Sequence, residues 1–216
     1  THVFLLNQDA WIDPNTIGTL VDLSQRHPSY GILSPVHLTA KGDKPDSGFG
    51  HYAKLRTLQD LPSEDILLVP FVNAAFWMIP IHVLQKVGGF CPLFYHYGED
   101  KDFVNRLHYH QYQVGYSPQV FGNHDREYRP LTHEGFLRTE SVYHLSEYVN
   151  INHPWLKAFG YGVLAVMKKA LTSLISGKFQ LSKDYLRMGF QLLSRSTEIQ
   201  SYRKINRLSQ PHYIQK

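Results

Sequence analysis

The run Val3-Phe4-Leu5-Leu6-Asn7-Gln8-Asp9, followed by Asp13-Pro14 and then by Gly31-Ile32-Leu33-Ser34-Pro35, decides how this chain is read. Val3 to Leu6 is a short continuous apolar stretch, the pattern of a strand buried on both faces. Asp13 is a good N-cap and Pro14 fits the first helical position, so a helix is expected to start there. Ile17, Leu20, Val21 and Leu23 give that helix an apolar stripe, which ends near His27-Pro28. Gly31 to Pro35 reads as the next strand. Strand, helix, strand is one unit of a layered α/β fold.

Outward from this unit, residues 39–63 are rich in Gly, Pro, Asp and Lys, which predicts an irregular connection with a hairpin around His51 to Leu58. Loops of this kind are common places for substrate contacts. Residues 66–85 contain no Asp, Glu, Lys or Arg, so a membrane span has to be weighed. Pro70, Asn73, Pro80 and His82 argue against it. The stretch reads instead as a buried strand pair and a short helix from Pro80 to Val87, stopped by Gly88-Gly89. After the aromatic loop Phe94-Tyr95-His96-Tyr97-Gly98, a helix is expected from Glu99 with Phe103, Val104 and Leu107 on one stripe. Val114 to Val120 reads as a strand that delivers His124 just beyond its end.

From Trp155 onward two uncharged runs, Ala158 to Met167 and Ala170 to Gly177, flank Lys168-Lys169. Neither run alone is long enough to span a bilayer, so they read as an interfacial amphipathic helix pair. The charge agrees. Residues 1–154 carry 11 Lys/Arg against 16 Asp/Glu, a net of −5, whereas residues 155–216 carry 11 against 2, a net of +9. The two parts should face different partners, and a basic tail can serve nucleic acid, an acidic protein or an anionic membrane, among which charge alone does not choose. Domains are therefore expected at 1–130, a catalytic α/β domain, and 131–216, a basic helical extension.

At 216 residues with 43% hydrophobic and 19% charged side chains, the chain can bury a sizeable core and is not intrinsically disordered. Cys91 is the only cysteine, which excludes an intramolecular disulfide and a four-cysteine zinc site. None of the 13 histidines falls in an HExxH pattern. The sequence opens on Thr1 directly into an apolar run, with no basic-then-apolar signal segment, and reads as lacking its true beginning.

Three places could carry chemistry. Asp9 follows an apolar strand, where open α/β sheets put ligand-binding groups, and a carboxylate there could ligate magnesium or manganese. Glu99 and Asp100 stand at a helix start beside Phe94, Tyr95 and Tyr97. They are either plain N-terminal caps together with Asp102, or a general base for a sugar hydroxyl. His124 could complete a metal site with Asp9.

Taken in order, Val-Phe-Leu-Leu-Asn-Gln-Asp-Ala at 3–10, Val72-Asn73-Ala74-Ala75, Val87-Gly88-Gly89-Phe90, Tyr97-Gly98-Glu99-Asp100-Lys101-Asp102-Phe103-Val104-Asn105-Arg106-Leu107 and His124 resemble family 2 glycosyltransferases. The likeness is to the rhamnosyltransferase-like branch that builds bacterial cell-surface polysaccharides. It covers roughly residues 3–125, and the glutamate-aspartate block is its most specific part.

The resemblance implies a GT-A type layered sheet and an inverting, metal-assisted transfer from a nucleotide-diphosphate sugar to a glycan or lipid-linked acceptor. It implies Mg2+ or Mn2+ on Asp9 and His124, Asn7 on the nucleotide side, Asp100 as base and Glu99 as an acceptor or structural partner. Asn73, Ala74, Trp77 and Tyr97 would face substrate. Such enzymes are cytoplasmic and peripheral at the inner face of the cell membrane, which makes an anionic membrane surface an expected partner of the tail. Two positions depart from the family pattern. Cys91-Pro92 stands where an acidic residue usually follows Gly-Gly-Phe, and Gln111 replaces the glycine that ends the helix after the Arg-Leu pair, with loss of a left-handed cap. The units that grip base and ribose in the family are also missing from this sequence.

Rival readings are a metal-dependent phosphohydrolase, which would need a second metal or a nucleophile, an inactive remnant, and a basic nucleic-acid-binding module. No nucleic-acid-reading motif is present, so nucleic acid is not an expected partner.

Overall fold

The computed structural model describes residues 1–95, 97–125, 130 and 132–214. The chain is mixed α and β and divides into two compact units, Thr1–Lys86 with His110–Tyr128, and Val87–Tyr109 with Arg129–Lys216. This differs from the single cut expected near residue 130. The helix that begins at Glu99 groups with the C-terminal helices, a long-range choice that local sequence pattern does not reveal.

The first unit is built on a six-stranded mixed sheet of β1 (His2–Leu6), β2 (Ala10–Ile12), β3 (Tyr30–Thr39), β4 (Leu67–Leu68), β5 (Phe76–Pro80) and β6 (Gln113–His124). The strand order is β1-β5-β3-β6-β2, with β4 also on β6. β3 and β6 run parallel, and the other pairs are antiparallel. β1 is therefore an edge strand and only half-buried, not buried on both faces as its apolar run suggested. β5 lies between β1 and β3, so the first two expected strands are not neighbours. β6 extends past its expected end and takes His124 in as its last residue. Its register against β3 slips between Pro35↔Ser117 and Val36↔Phe121. Pro118 sits in that slip, where its missing N–H breaks no ladder bond.

The first helix, α1 (Thr16–Arg26), starts later than expected and without a side-chain cap. The reason is β2: Ala10–Ile12 pairs with β6, and Asp13 N–H still donates to Phe121 O at 3.5 Å. The chain then turns through Pro14 and Asn15 before it coils. Leu20 and Leu23 of α1 are fully buried and pack with Leu33, Met78 and Val120. Burial of each leucine contributes about 1.5–3 kcal/mol.

In place of the hairpin expected at His51 to Leu58, residues Ser47–Ala53 form α2. Asp46 decides this, its carboxylate accepting the N–H groups of Gly48 and Phe49 at 2.9 and 3.1 Å. The uncharged stretch 66–85 does give two strands and a helix, α3 (Ile81–Val87), but β4 and β5 pair with other strands and not with each other. Gly88, at φ +85°, ends α3 as the sequence predicted.

The second unit is helical: α4 (Glu99–Tyr109), α5 (His133–Val149), α6 (Trp155–Phe159), α7 (Ala165–Ile175), α8 (Phe179–Ser194) and α9 (Ser196–Asn206). It has its own core, which includes Phe94, Tyr148, Val149, Val166, Leu192 and Ile199. A π-helical turn, Gly160–Leu164, joins α6 to α7 without a break. A side chain at Gly162 would meet Tyr148 Cβ at 2.5 Å, so only glycine lets α5 approach this turn. The two uncharged runs of the tail are thus one 21-residue helix, Trp155–Ile175. Lysine is a good helix former, so Lys168-Lys169 does not interrupt it. By length and composition this helix is long and apolar enough to cross a membrane, and a third of it is buried within the unit.

Candidate functional site

In the first unit, the pairing of β2 with β6 assembles Asn7, Asp9 and His124. Ala10 stands opposite His124 in register, and Asp125 N–H donates to Asp9 O at 2.9 Å. His124 Nε2 consequently lies 3.3 Å from Asp9 Oδ1 and 3.5 Å from Asn7 Nδ2. The imidazole is buried, whereas the Asp9 side chain is 45% exposed and free to reach a ligand. Asn7 is tied on its other side, its N–H donating to Ala75 O at 3.1 Å.

A cavity of about 330 Å³ opens against His124, lined by Thr39, Lys41, Asp43, Lys44, Asp46 and Asp125 among others. Its loop is held at both ends. Thr39 N–H donates to Lys44 O at 3.1 Å, and Asn123 Nδ2 donates to Thr39 O at 3.2 Å. Asp43 accepts the Thr39 hydroxyl, which with Lys44 and Lys41 nearby holds its carboxyl below the usual range. These loop residues were not singled out by sequence, although the loop itself was flagged. The missed signal was Ala10-Trp11-Ile12, a strand too short to see but enough to bring Asp9 to His124.

Of the other expected substrate contacts in this unit, Asn73 and Ala74 are half-buried in the loop before β5. Trp77 is a correction. It is completely buried in β5 and its indole N–H donates to Val72 O at 3.1 Å, so it packs the core and offers no face to a substrate. An interior strand buries both faces, which the alternation-free run 76–80 already implied.

In the second unit, Glu99 and Asp100 open α4. Gly98, at φ +96°, sets up the turn, and a Cβ there would stand 2.6 Å from Val142 Cγ1. Of the three acids, Asp102 departs from plain capping. It is buried and bonds Arg106 Nε at 2.8 Å. Arg106 also donates to Val87 O and Gly89 O, both at 2.7 Å. Asp100 accepts the Lys101 N–H at 2.7 Å, while the Lys101 ammonium goes to Glu147 at 3.2 Å. No cation pairs with Asp100 among the described residues, and burial, reinforced by the Glu99 charge, raises its carboxyl above the ordinary value of 3.8. Glu99 Oε2 is buried with no hydrogen-bond partner among the described residues.

Of the aromatic frame, Phe94 is core, whereas Tyr95 is fully exposed and Tyr97 half-exposed with φ +75°. His96 lies outside the described residues.

Asp9 and His124 fit a divalent cation as a partial site, one carboxylate and one imidazole at adjacent strand ends. No third His, Cys, Asp or Glu joins them among the described residues. Magnesium-like ions commonly keep waters and take one or two protein carboxylates plus substrate phosphates, so two donors suffice where a diphosphate supplies the rest. No family model matches the chain, and no curated protein matches its sequence.

Proposed function

We propose that this chain belongs to a glycosyltransferase of the family 2, GT-A kind, moving a sugar from a nucleotide-diphosphate donor to a glycan or lipid-linked acceptor. Asp9 and His124 would hold Mg2+ or Mn2+, with Asn7 on the nucleotide side. When bound, the ion offsets the charge of the leaving diphosphate. Asp100 takes the proton from the attacking hydroxyl as that oxygen bonds the anomeric carbon and the bond to the diphosphate breaks, giving inversion. Glu99 accepts a hydrogen bond from the same acceptor.

The observation that supports this most is the state of the two acids. Among the described residues, Asp100 is a half-buried carboxylate with no cation partner and a proton affinity raised by burial, which suits a proton acceptor, and the buried Glu99 Oε2 with no partner is built to receive a hydrogen bond from a ligand. A purely structural acid is normally paired, as Asp102 is with Arg106.

The tail supports a peripheral place at the inner face of a membrane. Leu171, Ile175, Phe179 and Phe190 are more than half exposed, in a segment of net charge +9. Apolar side chains with basic neighbours suit an anionic lipid surface. Incubating the protein with a panel of nucleotide sugars and following release of nucleoside diphosphate tests the reading.

A further inference from the structure

The last turn of α9 carries Arg203 and Lys204, and Arg207 caps it. These three cations, with Gln200 and Trp155, line a pocket of about 210 Å³ in the helical unit. Arg203 is buried, and its guanidinium donates to the carbonyls of Tyr148 and Asn150 and, at 2.7 Å, of His153. All of these acceptors are neutral, so the hydrogen-bonding groups are satisfied while the charge is not. Burial and the neighbouring Arg207 charge push the Arg203 guanidinium down to about 10.

No acid lines the pocket among the described residues. Glu198 of the same helix pairs with Arg195, Glu140 with Lys169, Glu147 with Lys101 and His153, and Asp184 with His133. The negative end of the α9 dipole suits cations in its last turn, but partial charge at a helix end does not neutralise three of them. Trp155 adds a flat wall, with the Arg203 guanidinium 5.8 Å from its ring centre.

We propose that this pocket binds a phosphate group, either free as phosphate or diphosphate or as the head of a phospholipid. Size supports a ligand of that kind. The pocket is smaller than the roughly 300–1,000 Å³ of drug-sized ligand sites, too small for a whole nucleotide sugar. Arginine and lysine together are the usual phosphate pair, the guanidinium giving a fork of donors and the ammonium a point charge. Lys204 and Arg207 are exposed and contact the ligand, while Arg203 contributes its buried charge from behind.

The test is calorimetric titration of the full chain with sodium pyrophosphate, alongside flotation with three kinds of neutral phosphatidylcholine vesicle: plain, with phosphatidic acid, and with oleic acid at the same charge. Lys204→Gln/Arg207→Gln is compared with Lys168→Gln/Lys183→Gln, which removes the same charge elsewhere. Pyrophosphate binding weakened tenfold or more by the first pair only supports a free phosphate ligand. Preference for phosphatidic acid over oleic acid, lost in the first pair only, supports the lipid source. Equal loss in both pairs, or no saturable binding in either arm, overturns the proposal. Circular dichroism confirms that the variants fold.

Discussion

His124 Nε2 lies 3.3 Å from Asp9 Oδ1, and the same nitrogen faces Asn7 Nδ2 at 3.5 Å. One imidazole nitrogen cannot serve both. Protonated, it donates to Asp9; with its proton on Nδ1, it offers a lone pair to Asn7 or to a metal. Asp9→Ala should abolish specific manganese binding by the chain, and His124→Ala should weaken it by about tenfold to a hundredfold. Paramagnetic titration with manganese measures both, and unchanged affinity in the Asp9 variant contradicts the assignment.

Asp100 should trade stability for function. Its folded pKa is raised above 3.8 by burial. The stability associated with its neutral form is therefore fully present below that pH and is lost as pH rises through the folded value. Asparagine cannot ionise. Asp100→Asn should thus melt higher than the wild type at neutral pH, with the difference vanishing below about pH 3.8. Thermal melts across pH check this; a variant that melts lower at pH 7 would show the carboxylate to be a structural partner.

The Asp102–Arg106 pair should be structural. Arg106→Met leaves a buried carboxylate alone and orphans the Val87 and Gly89 carbonyls, so destabilisation of about 3–5 kcal/mol is expected. Adding Asp102→Asn should recover part of it. Urea unfolding measures both steps.

On vesicles, the tail should bind anionic lipid and weaken with salt, each basic group near the surface contributing on the order of 1 kcal/mol. Ile175→Ser/Phe190→Ser should reduce binding without unfolding the unit. Sedimentation that is equal on neutral vesicles removes the electrostatic part, and none on either kind leaves this face as ordinary surface.

Much of this was legible locally. Phe103, Val104 and Leu107 announce α4, and Val87 followed by two glycines announces the end of α3, because period and stop residue are read within one turn. What was illegible depends on distant partners. Three residues, Ala10–Ile12, become a strand only because β6 reaches them, and that pairing delays α1 and brings Asp9 to His124. α2 was hidden by Gly48 and Gly50, poor helix formers, and rests on the Asp46 cap. Trp77 looked available among substrate-facing residues, but its indole is completely buried and its N–H is taken by Val72 O. The candidate acids were found by type and spacing, whereas the lack, among the described residues, of a cation on Asp100 and of a hydrogen-bond partner on Glu99 Oε2 needed side-chain geometry.

Gln111 tests a smaller inference. It holds φ +67°, the left-handed conformation that the sequence suggested a glycine would fill more easily. Gln111→Gly should stabilise the chain by up to about 1 kcal/mol, offset by whatever its side chain now contacts, as read from the urea midpoint.

The measurement closest to the central claim is release of nucleoside diphosphate from a panel of nucleotide sugars, with manganese and candidate acceptors, by wild type, Asp9→Ala and Asp100→Asn. Wild type should release one nucleotide only with metal and acceptor present. Asp100→Asn should lose about 10²- to 10⁴-fold in turnover with donor binding nearly unchanged, and Asp9→Ala should lose the metal requirement along with activity. Release by both variants at the wild-type rate, or none from any donor by wild type, would contradict the account.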